Sequence, residues 1–277
     1  MHPHARVLGI AQDGGHPHVG CWRPCCAPAW GNPALRHLAA SLALVDARGR
    51  WLLDATPHLP AQLASLGPPA DGGPALDGVL LTHAHLGHLA GLLQLGREGL
   101  AGDAIPVWAM PRLRALLANN LPWSLMVDHG HIRLCPLEET VQIGSFRVEA
   151  IEVDHRGEAS ETVGLRVWGP ERSLLYLPDI DNWNAFPLQS VLAEVDLAFI
   201  DGTFWSGGEL GWRNPKTVPH PFVLDTMALL ADDPNRKKVR FTHLNHTNPI
   251  LDPLSEAAAD VRRRGFGVAR QGAQHPL

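Results

Sequence analysis

The stretch Leu80-Leu81-Thr82-His83-Ala84-His85-Leu86-Gly87-His88 places three histidines within six residues, directly after an apolar segment. The apolar run predicts a buried strand. Side chains two apart on an extended segment point the same way, so His83 and His85 can face one point, while His88 follows on a turn. Neutral imidazole is the commonest protein ligand of zinc-like ions. This spacing therefore predicts a metal site at the end of a strand, rather than a solvated histidine-rich loop.

The composition limits the kinds of molecule that the chain is expected to bind. The chain has 277 residues, of which 45% are hydrophobic, and a formal net charge of -5. Basic residues cluster no more densely than at 236–238 and 262–264, so a nucleic-acid partner is not expected. No apolar stretch is long enough to span a bilayer, and the N-terminus lacks a leader pattern, so no membrane partner is expected. We expect a small-molecule substrate and a cytoplasmic location. A homodimer and an exported form with a removed leader both stay open.

Three of the four cysteines, Cys21, Cys25 and Cys26, lie within six residues, and Cys135 stands apart. A disulfide framework would spread the cysteines more widely through a small chain. Clustered thiolates together with a distant histidine favour a structural zinc site over plain buried thiols. Cys135 is predicted to be a core residue.

Short strand-like runs bounded by Gly, Pro or Asp alternate with segments of helical spacing. Strands are predicted over 7–10, 41–45, 51–54, 78–81, 105–109, 141–153, 162–168, 174–177, 197–200, 238–242 and 267–270. Helices are predicted over 89–98, over 111–119, from 220 or 221 to 231, and over 253–264, and the segment 119–131 is predicted to be a loop. Strands followed by helices, twice over, predict an α/β fold with two sheets between helical layers.

Polar residues recur at the ends of the later strands. His155, Asp179 and His243 each follow an apolar run. Alone, each would be an ordinary hydrogen-bonded polar residue. Repeated placement after strands favours a shared site, because scaffolds of this kind gather their functional residues at strand ends.

The His83-to-His88 motif, followed by a histidine, an aspartate and a histidine after strands, resembles the metallo-β-lactamase fold superfamily over most of the chain. The resemblance implies one domain over 1–277, an αββα four-layer sandwich of the metallo-β-lactamase type. Within the superfamily, the chain is most similar to pyrroloquinoline quinone biosynthesis protein B and its hydrolase-like relatives. The segments that carry this similarity are 12–17 with the cysteine cluster, 178–183, 201–204, 219–221 and 242–251. Phosphoribosyl cyclic phosphodiesterases have a similar loop, cysteine cluster and terminal histidine pair.

The resemblance also implies a set of metal ligands. They are His83, His85 and His155 for one ion, Asp179 as a bridging carboxylate, His88 and His243 for a second ion, and Cys21, Cys25, Cys26 and His246 for a structural zinc. The cysteine spacing differs from the usual one, so which thiols bind stays open. His220 lies where the phosphodiesterase-like relatives place a catalytic histidine, and a helix-capping surface residue is the alternative.

Gly87 is the main departure, because the superfamily usually has an aspartate there that binds the second ion. Three outcomes follow: a single-metal site, a second ion held weakly by His88, Asp179 and His243, or a carboxylate that arrives from elsewhere. Asp13 and Asp181 are the candidates for the last, and Gly-flanked Asp13 is favoured. Turn formation by Asp13 and helix capping by Asp181 are the alternatives. With no carboxylate at this position, Gly87→Asp is expected to raise second-ion affinity.

Zinc-like ions at such a site imply hydrolysis of an ester, lactone or phosphodiester by metal-activated water, in which His220 protonates the leaving group and Asp179 positions the ion and nucleophile. We expect one structural zinc and one or two active-site ions, with iron or manganese as alternatives at the active site. Histidines with a carboxylate also suit iron, so an iron-dependent oxygenase or hydroxylase of quinone biosynthesis is the second hypothesis. A carrier that keeps the fold with a degraded metal centre is the third.

Aromatic and basic residues in predicted loops form a last group of candidates. Four tryptophans are expected either to line an apolar pocket or to pack between loops and sheets: Trp123, Trp183, Trp205 and Trp212. Three arginines are expected either to bind a substrate anion or to lie solvated at the surface: Arg112, Arg156 and Arg213.

Overall fold

The computed structural model of the chain describes residues 2–69, 72–210 and 218–277. Numbered along the chain, the first seven-stranded sheet has the spatial order β14 (Gln274–Pro276), β1 (His4–Gly9), β2 (Ser41–Val45), β3 (Arg50–Leu53), β4 (Gly78–Leu80), β5 (Ile105–Ala109) and β6 (Ile132–Pro136). The pairs from β14 to β3 are antiparallel, and those from β3 to β6 are parallel.

The second sheet has the same division into parallel and antiparallel halves. Its order is β13 (Gly267–Val268), β12 (Val239–Thr242), β11 (Leu197–Asp201), β10 (Ser173–Leu177), β9 (Thr162–Trp168), β8 (Phe146–Val153) and β7 (Val141–Ile143). The pairs from β13 to β10 are parallel, and those from β10 to β7 are antiparallel. Parallel neighbours need crossover connections, which places helices on the outer faces.

Helices cover both sheets. They are α1 (Ala27–Gly31), α2 (Leu59–Leu66), α3 (Leu86–Leu89), α4 (Pro111–Asn119), α5 (Trp123–Asp128), α6 (Leu188–Ala193), α7 (Val223–Leu229) and α8 (Glu256–Arg263). One hydrophobic cluster joins the facing sides of the two sheets and runs on beneath α6, α7 and α8. The other lies between the first sheet and α2, α4 and α5. The fold is therefore the predicted α/β sandwich of two sheets between helical layers.

Local sequence accounts for the helices that were predicted best. Pro111 occupies the first turn of α4, where its missing N–H costs nothing, and this helix has the predicted bounds. Ser255 caps α8, because its hydroxyl accepts a hydrogen bond from the Ala258 backbone N–H at 3.0 Å.

Several predicted elements were wrong in extent. The strand expected over 141–153 is a hairpin that turns at Gly144, whose φ of 51° suits glycine. The helix expected over 89–98 is short α3 followed by a 3-10 helix over Ala90–Leu95, so His88 lies in a helix and not on a turn. The segment 119–131, expected to be a loop, contains α5. Helix α7 begins at Val223, three residues after His220.

None of the helices in the described ranges combines the length and apolarity that crossing a bilayer would require.

Candidate metal centre

The predicted site residues converge at one edge of the sandwich. His83 and His85 follow β4, and His88 lies in α3 directly after them. The other members come at the ends of strands or in the first loop: Asp13 after β1, His155 after β8, Asp179 after β10 and His243 after β12. The strands thus deliver donors from both sheets to the same place, as expected for a site built on a rigid scaffold.

His83, His85 and His155, here called the first ion group, present their ring nitrogens to one another. His83 Nε2 lies 2.9 Å from His85 Nδ1, and His155 Nε2 lies 3.4 Å from the same atom. Burial, followed by repulsion from His155, lowers the pKa of His85 to about 4. Burial likewise holds the pKa of His83 and His155 below the usual value. The three rings are therefore neutral at neutral pH, which is the form that binds metal.

Asp13, His88 and His243, here called the second ion group, meet in the same way. His88 Nε2 and His243 Nε2 lie 3.3 Å apart, and Asp13 Oδ1 lies 3.4 Å and 3.3 Å from them. Burial opposes the charged form of His88, yet the carboxylates of Asp54 and Asp179 outweigh burial and hold its pKa well above the usual value. A metal cation that is attracted by the same carboxylates would displace that proton.

Asp179 lies between the two groups. Its Oδ2 is 3.0 Å from His88 Nε2 and 3.4 Å from His243 Nε2, and its Oδ1 is 3.6 Å from His155 Nε2. The carboxylate is 2% exposed, and it faces the ring nitrogens of His88, His243 and His155. A buried carboxylate is costly unless a cation compensates it. Asp179 is therefore placed to be shared by two ions.

These residues fit a zinc-like ion in spacing as well as in donor type. Ligand atoms about 2.0–2.1 Å from a common tetrahedral ion lie about 3.3 Å from one another. The distances given above for the two groups and Asp179 run from 2.9 to 3.6 Å, and all ligand atoms within each group lie within 4.8 Å of one another. The groups of His and Asp side chains could thus hold metal ions.

A layer of hydrogen bonds fixes which nitrogen of His88, His155 and His243 faces the centre. His88 Nδ1 donates to Asp54 Oδ2 at 2.7 Å, and His155 Nδ1 donates to Asp181 Oδ1 at 2.9 Å. His243 Nδ1 lies 3.0 Å from the Thr203 hydroxyl. Such partners orient ligand rings and raise their basicity.

The sequence interpretation missed Asp54 and Thr203, although a signal was present. Asp54 follows the apolar end of β3, as His155 and Asp179 follow their strands, so the same rule would have selected it. Fully buried Asp54 also accepts from the Thr82 backbone N–H at 2.8 Å and from the Tyr176 hydroxyl at 3.3 Å. The suggestion that Asp181 replaces the missing carboxylate was wrong, because its carboxylate faces the outer nitrogen of His155.

Asp13 occupies the space that a side chain at position 87 would need. A Cβ built on Gly87 would lie 2.0 Å from Asp13 Oδ1 and 2.3 Å from Asp13 Cγ. Such distances are far below van der Waals contact, so glycine is required for the Asp13 carboxylate to reach His88 and His243. Of the three outcomes considered for this site, the geometry corresponds to a carboxylate that arrives from elsewhere.

His220 lies beside this centre. Its Nδ1 donates to Asp201 Oδ2 at 2.7 Å and is 4.0 Å from Asp179 Oδ1. Asp201 is fully buried and also accepts from the backbone N–H groups of Ile180 and Thr203. Burial opposes the charged imidazole, but Asp201 outweighs it and raises the pKa of His220 to about 9. His220 is mostly buried and is not the surface helix cap that was the alternative.

Cys21, Cys25, Cys26 and His246, here called the thiolate cluster, come together as a third donor set, with all ligand atoms within 4.8 Å of one another. The Sγ atoms of Cys21 and Cys25 lie 3.8 Å apart, and those of Cys25 and Cys26 lie 4.0 Å apart. About 3.8 Å is expected for two sulfurs each 2.3 Å from a tetrahedral zinc. Cys135 is buried elsewhere, as expected.

The aromatic and basic loop residues have structural surroundings. Trp183 donates to Thr226 Oγ1 at 2.8 Å and, like Trp205, packs against the core between the sheets, while Trp123 packs against the other core. Arg156 pairs with exposed Glu158, and Arg112 donates to the Gly157 carbonyl. The packing and surface alternatives therefore hold for these five. Trp212 and Arg213 lie outside the described residues.

Comparison with known proteins defines the class. A model of the beta-lactamase superfamily domain matches residues 49–244, and the chain belongs to the beta-lactamase superfamily. Over 98% of its length it is 30% identical to Coenzyme PQQ synthesis protein B from Xanthomonas euvesicatoria, of which 99% is covered.

Solved structures agree with this assignment. The crystal structure of Zn(2+)-bound PqqB from Methylobacterium extorquens matches with a TM-score of 0.83 at 25% identity, covering 99% of this chain and 100% of that one. A diphosphatase from the PhnP family matches with a TM-score of 0.70 at 21% identity, over 99% of this chain and 97% of that one, which shows a shared fold. The zinc-bound relative and the donor groups described above support metal binding by this chain.

Proposed function

We propose that this chain is a metal-dependent hydrolase of small molecules that carry an ester, lactone or phosphodiester bond. The observation that carries the proposal is the Asp201–His220 pair, which lies beside Asp179, the carboxylate shared by the two ion groups. Ions held by these groups would supply Lewis acidity and would lower the pKa of a bound water to near neutrality. An acid–base pair next to such a centre is what hydrolysis requires in addition.

The residues of the chain have separate tasks in this proposal. Asp201 holds the Nδ1–H of His220, so Nε2 is the nitrogen that passes a proton to the leaving oxygen. Backbone N–H groups hold Asp201 in turn, which fixes the direction of the ring. Asp13 and His85 are the partly exposed members of the centre, with 43% of the Asp13 side chain exposed. The substrate therefore approaches from their side.

The test uses the zinc-loaded protein and chromogenic phosphodiester, ester and lactone substrates, with oxygen removed. We expect turnover of at least one class, and we expect His220→Gln to lower kcat about 10²- to 10⁴-fold with unchanged zinc content. His129→Gln, an exposed histidine after α5, is the matched control and should retain full kcat. A His220→Gln variant that keeps wild-type kcat would contradict the proposed acid.

A second candidate function is supported by the 30% identity to Coenzyme PQQ synthesis protein B. In this alternative, the chain is an iron-dependent oxygenase or hydroxylase, or a carrier, that acts in synthesis of that coenzyme. Histidines and a carboxylate also suit iron. Turnover that requires iron and consumes oxygen, measured with an oxygen electrode, would favour the oxygenase, and tight product binding without turnover under any metal would favour the carrier.

A further inference from the structure

The second ion group and the thiolate cluster are built on the same two chain segments. Asp13 and Cys21 belong to one loop, between β1 and α1, and His243 and His246 belong to one turn after β12. The first ion group comes from other elements, the loop after β4 and the end of β8. Two of the three members of the second ion group are therefore tied covalently to ligands of the cluster.

Contacts through His18 connect the cluster to Asp13. The His18 backbone N–H donates to Cys26 Sγ at 3.3 Å, and the His18 ring lies 4.5 Å from the His246 ring, between centroids. The same ring packs against the backbone next to Asp13, because a Cβ on Gly14 would lie 2.5 Å from His18 Cδ2. The position of the Asp13 loop thus depends on where the cluster holds His18.

Backbone hydrogen bonds join the two segments to each other. The Gln12 N–H donates to the Leu244 carbonyl and the Leu244 N–H donates to the Ile10 carbonyl, both at 2.8 Å. His243 itself has a φ of 59°, a left-handed conformation that a non-glycine residue holds only when its surroundings impose it. The two segments that carry Asp13 and His243 are therefore held together by backbone hydrogen bonds. The ligands of the thiolate cluster lie further along the same two segments.

We propose that metal occupancy of the thiolate cluster controls the affinity of the second ion group, and leaves the first ion group unaffected. This rests on the proposed function, in which Asp13, His88 and His243 hold an ion. An ion that draws the four cluster ligands together restrains both segments and keeps Asp13 and His243 within reach of His88. When the cluster is empty, ordering those segments must accompany binding of the second ion, which lowers its affinity.

The first experiment compares Cys26→Ser with Cys135→Ser, a buried cysteine in β6, outside the two segments that carry the cluster. Zn²⁺ dissociation constants are measured by competition with a chromogenic chelator, and bound ions are counted by native mass spectrometry. We expect Cys26→Ser to lose the cluster ion and to weaken the second ion about 10- to 100-fold, with first-ion affinity within twofold of wild type. Cys135→Ser should match wild type at all three sites.

The retained first ion shows in the same sample that Cys26→Ser is folded. An unchanged second-ion affinity after loss of the cluster ion would overturn the proposal, as would equal weakening of both active-site ions. Wild-type protein that binds no second ion at all would instead contradict the dinuclear centre of the proposed function.

A second experiment moves the carboxylate off the cluster-linked loop. In the double variant Asp13→Gly, Gly87→Asp, the carboxylate comes from α3, next to His88, and the clash at position 87 is removed. Cys26→Ser is then introduced into this double variant. We expect the factor by which it weakens second-ion binding to be at least fivefold smaller than the factor in the wild-type background, since only His243 remains tied to the cluster. The same loss in both backgrounds would show that the Asp13 loop does not transmit the effect.

Discussion

The two ion groups differ in how their members are distributed along the chain. Two of the three histidines of the first group come from one short motif, and a single strand end supplies the third. The second group joins Asp13, His88 and His243, which lie near the start, in the first half and near the end of the sequence. In both groups the ligand atoms nevertheless lie within 4.8 Å of one another. A metal site requires donor atoms at particular positions in space, and any chain segment that reaches such a position can supply the donor.

The largest expected effect comes from Asp179, which belongs to both sides of the comparison. Asp179→Asn keeps the volume and removes the charge that Oδ1 and Oδ2 present to the two groups. If about 10–16 kcal/mol of binding is shared among four ligands, each contributes about 2.5–4 kcal/mol, or roughly 10²- to 10³-fold in affinity. We expect both active-site ions to weaken by that factor, measured by chelator competition. Weakening of only one ion would show that the carboxylate is not shared.

The next effect separates the two groups. Asp13→Ala should weaken the second ion by on the order of 100-fold and leave the first nearly unchanged, because Asp13 Oδ1 lies 3.4 Å from His88 Nε2 and 3.3 Å from His243 Nε2, both in the second ion group. His85→Ala, the matched variant of the other group, should do the reverse. Isothermal titration of metal-free protein with Zn²⁺ resolves the two events. Loss of the same ion in both variants would mean that the groups form one site.

A smaller effect is expected from the residues that orient the ligands. Asp54→Asn should weaken the second ion about 10- to 100-fold through His88, and Asp181→Asn should weaken the first by a similar factor through His155. Because Asp54 is fully buried and accepts from several donors, its variant should also unfold at lower urea concentration. Equal urea midpoints for the two variants would contradict the expectation that the more deeply buried Asp54 contributes more to stability.

The smallest effect on metal binding is expected from Gly87→Asp alone. The new side chain and Asp13 compete for one place, so one carboxylate displaces the other. We expect second-ion affinity to change less than tenfold, in place of the rise expected from sequence, and overpacking to cost about 1–3 kcal/mol in urea unfolding. A large gain in affinity would show that Asp13 is not a ligand.

Much of the fold was predictable because apolar runs and turn residues report burial directly. Strands such as β10 are buried along their whole length, and α4 begins at a proline that marks its first turn. The predicted bounds were wrong where tertiary contacts determine the residue at which a helix or strand ends. Helical spacing after His88 continues in the sequence, yet the Gly91 N–H donates to the Ala55 carbonyl at 2.8 Å, outside the helix, and the chain there forms a 3-10 helix. Short α5 has no strong local signal within a segment that looks like a loop.

The sequence by itself determined the donors: the histidine motif, the polar residues that end strands and the grouped cysteines. These could be identified because metal binding requires particular side chains, and because short spacings between them can be read directly from the sequence. Only the tertiary structure decided which carboxylate joins His88 and His243, and which residues stand behind the ligands. Contacts between residues hundreds of positions apart depend on how two sheets and their loops pack. That Gly87 leaves the space which the Asp13 carboxylate fills can be recognised only from the three-dimensional structure.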